Sequence, residues 1–286
     1  MTGTGIHDRS GVEAEINYVR NPPPAGGSVL EYVTEDEALN TMVTLPGRPM
    51  PITDARGLPT HLDREGFLLV EHVSAITDFH RLQEDPVVDA QYVEETAAML
   101  AELTGAARVL MLGSGKKRYG ESAVDRLAPL KNAKPARYPH ADNTDASAEN
   151  LAGLFDAFVD DFDLAAYPRW AMYNVWRTFS PPPQDFPLAV CDARTVSPDD
   201  EVTVTAITAE LSGDIVHDTT SYVHNPAHRW YWYPDMTIGE VIVFKSHDTD
   251  PAKARRVAHT AFTDPTCPPG VPTRASVEMR ALAVFD

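Results

Sequence analysis

Cysteine is nearly missing from this 286-residue chain, which has only Cys191 and Cys267. Two thiols build neither a disulfide framework nor a cysteine-rich zinc site, and they read as small buried thiols of a reducing cytosol. Basic residues are also scarce: 24 Lys and Arg stand against 42 Asp and Glu, for a net charge of −18. That field repels phosphate backbones and anionic lipid, so nucleic acid and membrane surfaces are not expected partners. It does not decide the substrate, because a local basic pocket survives inside an acidic protein. Long apolar runs are absent as well. Nothing approaches 18 consecutive apolar residues, and the opening MTGTGIHDRSGVEAEINYV lacks an apolar stretch of signal-peptide length. A soluble, cytoplasmic protein is expected.

The hydrophobic content of 43% and aromatic content of 8% are enough for a sizeable core. Barrels and sandwiches of this length often form one unit. Residues 20–60 are rich in Pro and Gly (RNPPPAGG, LPGRPMPITDARGLP), which predicts an extended N-terminal arm over 1–60 and a single domain over 61–286. An amphipathic helix is expected over 88–106, with Val93, Ala97 and Leu100 on its apolar face and Gly105 at its stop. A second helix begins after residue 146, with Ser147 as N-cap and Leu151, Leu154, Phe155, Phe158 and Phe162 as its stripe. From about 170 the chain is strand-like: WAMYNVWRTF, PLAVCDARTV, EVTVTAITA, RWYWYPDM, GEVIVFKS and RASVEMRALAVF. Short runs bounded by Pro, Asp, Asn and Gly have the spacing of a sandwich or jelly roll. The expected class is α+β, mainly β, with helices packed on one outer face of the sandwich.

The stretch RYPHADNTD carries the first chemical signal, His140 and Asp142 two residues apart. Side chains alternate with period two along a strand, so the pair would point the same way. Two histidines and one carboxylate on one side of an ion leave positions open, the geometry of non-haem Fe(II) oxygenases. The third ligand must come from His217, His224, His228, His247 or His259. His259 is set apart by its downstream neighbours, since Arg274 stands fifteen residues on and Ser276 two beyond that. An arginine and a serine hydroxyl on one strand face form a carboxylate clamp, which the guanidinium fork suits. The bland alternative is that Arg274 pairs with an internal acid, given Glu278 and Arg280 on the same face. His217 with Arg229 is the competing assignment, weaker because Arg229 has no hydroxyl partner at +2.

Taken in order, HADNT, NVWR, PLAVCDARTV, HRWYWYPDM, EVIVFKSHDTD, HTAFTDP and RASVEMR resemble the AsaB/CmcJ-like hydroxylase/desaturase family of natural-product biosynthesis, across most of residues 60–286. That family is similar to Fe(II)/2-oxoglutarate-dependent oxygenases of the double-stranded β-helix (jelly-roll, cupin-like) fold. The resemblance implies iron at His140, Asp142 and His259, 2-oxoglutarate at Arg274 with Ser276, and O2 as oxidant. It implies a small secondary metabolite as substrate, hydroxylated or desaturated with release of succinate and CO2. The block FKSHDTD departs from the family pattern at His247, where an aromatic residue is more usual, so His247 is either an outer residue of the site or an exposed one.

Further candidates for substrate or cosubstrate contact are Asn174, Trp176 and Arg177 of NVWR, and Tyr231 of the aromatic run. Arg177 competes with Arg274 as the carboxylate anchor. Asp192 and Arg194 read instead as an internal ion pair. Two other functions stay open: a catalytically silent cupin-like binding or partner subunit, and a Zn-dependent hydrolase or isomerase built on the same three ligands. The Arg-x-Ser pair speaks against the hydrolase, which has no use for a distal carboxylate site. Oligomerisation is left open.

Overall fold

Alternating apolar and polar residues between Pro, Asp, Asn and Gly turns build two facing β-sheets. The computed structural model describes residues 11–20, 32–33, 44–120, 134–210 and 213–286. Its strands are β1 (Val12–Ile16), β2 (Tyr32–Val33), β3 (Arg48–Asp54), β4 (Phe67–Glu71), β5 (Arg108–Met111), β6 (Lys116–Tyr119), β7 (His140–Ala141) and β8 (Arg169–Thr178). They continue as β9 (Leu188–Cys191), β10 (Glu201–Glu210), β11 (Gly213–Tyr222), β12 (Trp230–Trp232), β13 (Glu240–Asp248), β14 (His259–Ala261) and β15 (Ala275–Phe285). The helices are α1 (Pro86–Thr104) and α2 (Asp145–Phe158). Nine strands run in the order β1-β3-β12-β9-β14-β7-β11-β10-β2, and a second sheet runs β4-β13-β8-β15-β5 with β6 also paired to β15. Phe67, Trp176, Ile242 and Phe244 from the smaller sheet meet Leu188 and Val190 from the larger one, with Val257 of the segment before β14. This inner layer is the core of a double-stranded β-helix, the fold that the family resemblance implies and a form of the sandwich or jelly roll expected from the strand pattern.

Helix α1 packs on the opposite face of the smaller sheet. Asp85 caps it by accepting from the Val87 N–H, and Gly105 ends it in the left-handed region at φ 67°. Val88, Tyr92, Thr96 and Leu100 are its buried residues, and they meet Ala171, Tyr173, Val175, Val243 and Met279. The expected Val93–Ala97–Leu100 stripe is therefore rotated. The i, i+4 series from Val88 faces inward, and Val93 only flanks it.

Helix α2 differs more from expectation. It lies across the other face of the same sheet, where Ala148 and Ala152 press on Trp170, Met172, Leu282 and Val284. The two helices thus cover opposite faces of one sheet, not one outer face. Thr144 is the N-cap, and Ser147 completes the capping box at the third position of the helix. Two alanines let the helix axis approach closely; of the expected stripe Leu151, Phe155 and Phe162 pack in this cluster, while Leu154 at 51% and Phe158 at 81% are exposed.

Of the arm expected over 1–60, residues 1–10, 21–31 and 34–43 lie outside the described residues. The described remainder includes paired strands, β1 on β3 and β3 in parallel with β12. Trp230 donates from its indole to the Tyr18 hydroxyl at 2.8 Å, fixing the segment after β1 against the larger sheet. Among the described residues, no helix is long and apolar enough to cross a membrane.

Candidate metal centre

The register of the larger sheet builds the site. Ser221 of β11 pairs with His140 of β7, His140 pairs with His259 of β14, His259 with Val190 of β9, and Val190 with Tyr231 of β12. Directly opposed residues share a face, so these five side chains form one row looking toward the smaller sheet. Asp142, two residues after His140, falls on the same side. Ligand atoms of His140, Asp142 and His259 all lie within 4.8 Å of one another. The two imidazole centroids are 4.3 Å apart, and Phe244 covers His259 at 4.7 Å.

The donor set suits a divalent metal ion. His140 pairs Nδ1 with the Tyr138 carbonyl at 3.0 Å, and His259 pairs Nδ1 with the Val257 carbonyl at 3.2 Å. Each bond fixes the tautomer and leaves Nε2 as a lone-pair donor toward the centre. Burial, then the neighbouring His259, pulls the His140 pKa down to about 3, so the ring is neutral. Burial alone would raise the Asp142 carboxyl; Arg280 and the two histidines outweigh it and hold it below the usual range. Arg280 donates to Oδ1 at 2.7 Å, and the Asn174 amide donates to Oδ2. Two imidazoles, each with its Nδ1 tied to a carbonyl, and one oriented carboxylate are the ligand types such a metal takes.

Deeper along the same interior lies Arg274, 2% exposed. Its backbone N–H donates to Asp185 at 2.7 Å, while its guanidinium stands 5.6 Å from the Trp176 ring. The Arg274 Nε is buried without a hydrogen-bond partner. Burial, then nearby Arg118, lowers its pKa to about 10. Glu278, the internal acid named above as the alternative partner of Arg274, accepts instead from Arg280 at 3.0 Å. Ser276, two residues on and within β15, is fully buried on the same face.

The remaining candidates divide by face. Asn174 and Trp176 look into the site. Arg177, next in sequence, looks the other way into the layer under α1, where it bonds the Tyr92 hydroxyl at 3.0 Å and the His72 carbonyl at 2.9 Å. Those bonds make it a structural arginine and remove it as a rival anchor. Tyr231 packs on Phe67 at 5.6 Å, two strands from His259. Arg229 is exposed beside Asp192, so the pairing of His217 with Arg229 does not form. His217 shares the inward parity of Ser221 on β11, but it is not among the residues whose ligand atoms converge. His247 stacks on Trp170 at 4.7 Å, taking the place of an aromatic residue outside the triad. Asp192 and Arg194 form the expected ion pair at 2.7 Å.

Sequence reasoning missed the grip of Arg280 and Asn174 on Asp142. Arg280 was visible only as a residue on the Arg274 face, and Asn174 lies on a strand paired to it from across the sheet.

A double-stranded β-helix with two histidines and an aspartate converging inside it, and an unpartnered buried arginine beyond, is the arrangement of the non-haem Fe(II)/2-oxoglutarate-dependent oxygenases. The chain matches the family described as oxidoreductase/YMDC permease-like domain over residues 16–285, and it belongs to that family. It is 30% identical to the hydroxylase/desaturase efuI of Hormonema carpetanum, over 96% of this chain and 95% of that one. It is 29% identical to the Fe(II)/2-oxoglutarate-dependent dioxygenase nvfI of Aspergillus novofumigatus, over 81% and 79% of the two chains. A solved structure of the iron and alpha-ketoglutarate-dependent endoperoxidase NvfI superposes with a TM-score of 0.83 at 26% identity, covering 98% of this chain and 99% of that one.

Proposed function

We propose that this chain is an Fe(II)/2-oxoglutarate-dependent oxygenase that hydroxylates or desaturates a small secondary metabolite, with iron on His140, Asp142 and His259 and the distal carboxylate of 2-oxoglutarate on Arg274 and Ser276. The observation that carries the reading is the convergence of those three ligands within 4.8 Å, in an interior that also holds the unpartnered Nε of Arg274. When bound, iron with 2-oxoglutarate and O2 supplies an oxidant able to remove hydrogen from carbon, with succinate and CO2 as coproducts.

The protein's own part is placement and exclusion. Arg280 and Asn174 hold the Asp142 carboxylate in one orientation while leaving it lone pairs for an ion. The carbonyls behind His140 and His259 keep both rings turned inward. Phe244, Trp176, Tyr231 and Phe67 wall the space with apolar surface that excludes water and strengthens each charge contact inside it. Arg274 offers two-pronged binding to a carboxylate, which neither a silent binding subunit nor a zinc hydrolase would need. With this reading go a cytoplasmic setting, supported by two unpaired cysteines, and no nucleic acid or membrane partner, supported by the net charge.

The test is succinate formation from 2-oxoglutarate with candidate metabolites under O2, Fe(II) and ascorbate, against Asp142→Ala as background. Succinate above that background with Fe(II), and none with Zn(II), is expected. Succinate no higher than in Asp142→Ala would overturn the reading.

A further inference from the structure

Strand β6 places a second arginine beside the clamp. Its residues alternate: Lys117 and Tyr119 turn toward the α1 side, where Lys117 bonds the His80 carbonyl at 2.6 Å, so Arg118 turns inward. In the antiparallel ladder Arg118 stands directly opposite Ser276, the proposed clamp hydroxyl, and Lys116 opposite Glu278. Opposed residues have Cβ atoms about 4.5–5.5 Å apart, and long side chains reach their diagonal neighbours. The diagonal neighbours of Arg118 are Arg274 and Glu278. Glu278 is committed to Arg280. Asp185, the other acid near Arg274, is committed to the Arg274 backbone N–H and the Thr273 hydroxyl. Among the described residues, no side chain accepts a hydrogen bond from the Arg118 guanidinium.

Two guanidiniums therefore face one space, and the acids near them, Glu278 and Asp185, make their hydrogen bonds elsewhere. Burial lowers the pKa of both; the charge of Arg118 lowers that of Arg274 further, and nearby Glu278 offsets only part of the shift in each. Like charges held this way in a protein interior are costly unless an anion joins them. Arg118 is close enough to Glu278, Arg280, Asp142 and Tyr138 to feel their charge, and close enough to Arg274 to act on it, so it stands near both the candidate metal ligands and Arg274.

We infer that Arg118 is a second cosubstrate-binding arginine, which together with Arg274 brackets the distal carboxylate of 2-oxoglutarate across Ser276. The inference rests on the oxygenase reading above and adds a residue to it. A two-arginine clamp makes the site selective for a dicarboxylic 2-oxo acid over a monocarboxylic one of equal length.

The experiment is an anaerobic titration of the Fe(II)-loaded protein, following the visible charge-transfer band, with 2-oxoglutarate and separately with 2-oxopentanoate, which has a methyl group where 2-oxoglutarate has its distal carboxylate. Wild type, Arg118→Gln, Arg118→Lys and Arg274→Gln are compared, with thermal melts as the folding control. Arg118→Gln should raise the Kd for 2-oxoglutarate roughly tenfold to a hundredfold, the loss of a hydrogen bond between charged groups. Its Kd for 2-oxopentanoate should stay near that of wild type, and Arg118→Lys should recover part of the loss. Arg274→Gln should show the same selective loss, at least as large. An unchanged Kd for 2-oxoglutarate in Arg118→Gln, or an equal loss for both acids, overturns the assignment. Failure of wild type itself to bind 2-oxoglutarate would instead overturn the oxygenase reading.

Discussion

At the residue scale the metal centre depends on what holds each ligand from behind. Asp142 is gripped by Arg280 and Asn174, and the buried carbonyl oxygen of Asn174 has no hydrogen-bond partner of its own. Removing a residue that orients a ligand typically costs 10–100-fold in metal affinity. Asn174→Ala should therefore weaken Fe(II) binding by about that factor while the melting temperature changes little, measured by competition with a colorimetric chelator. Unchanged affinity would mean that Arg280 alone orients the carboxylate. The two ligands of the His-x-Asp pair were legible in the sequence because residues two apart on a strand share a face. Arg274 and Ser276, the proposed clamp, were expected on one face for the same reason, and both are buried. The partners of Asp142 were not, because they come from strands 32 and 138 residues away and meet it only when the two sheets close.

At the scale of elements, β8 serves two interiors at once. Its even-numbered residues Trp170, Met172, Asn174 and Trp176 face the site and α2; its odd-numbered residues Tyr173, Val175 and Arg177 face α1. Arg177 is fully buried and satisfies acceptors on three segments: Tyr92, His72 and Ile238. Arg177→Met would leave those acceptors unpaired and should cost roughly 3–5 kcal/mol of stability, read from denaturant melts. The folded protein should keep wild-type affinity for 2-oxoglutarate. A stable variant that has lost that affinity would return Arg177 to the clamp. Strand identities were readable from alternation and turn residues. The faces of the helices were less so. Both helices carry apolar residues around much of their circumference, and packing chose the small face, Ala148 and Ala152, for α2.

At the scale of the whole molecule, a chain of net charge −18 encloses Arg118, Arg274 and Arg280 in one interior. Within that acidic chain, the cationic interior suits a small dianion. Short strands such as β7 and β14, two and three residues long, could not be read from hydrophobic pattern, yet they carry His140 and His259, with Asp142 just after β7. Their place is set by neighbours: β7 is held between β14 and β11, so the ligands are positioned by long-range pairing. The central claim is that the third ligand is His259 and not His217, although His217 also faces inward. Anaerobic Fe(II) binding by wild type, His259→Ala and His217→Ala tests it most directly. His217→Ala should bind one Fe(II) as tightly as wild type, and His259→Ala should lose binding by well over a hundredfold while still melting cooperatively. Retained iron in His259→Ala together with lost iron in His217→Ala would contradict the site described here.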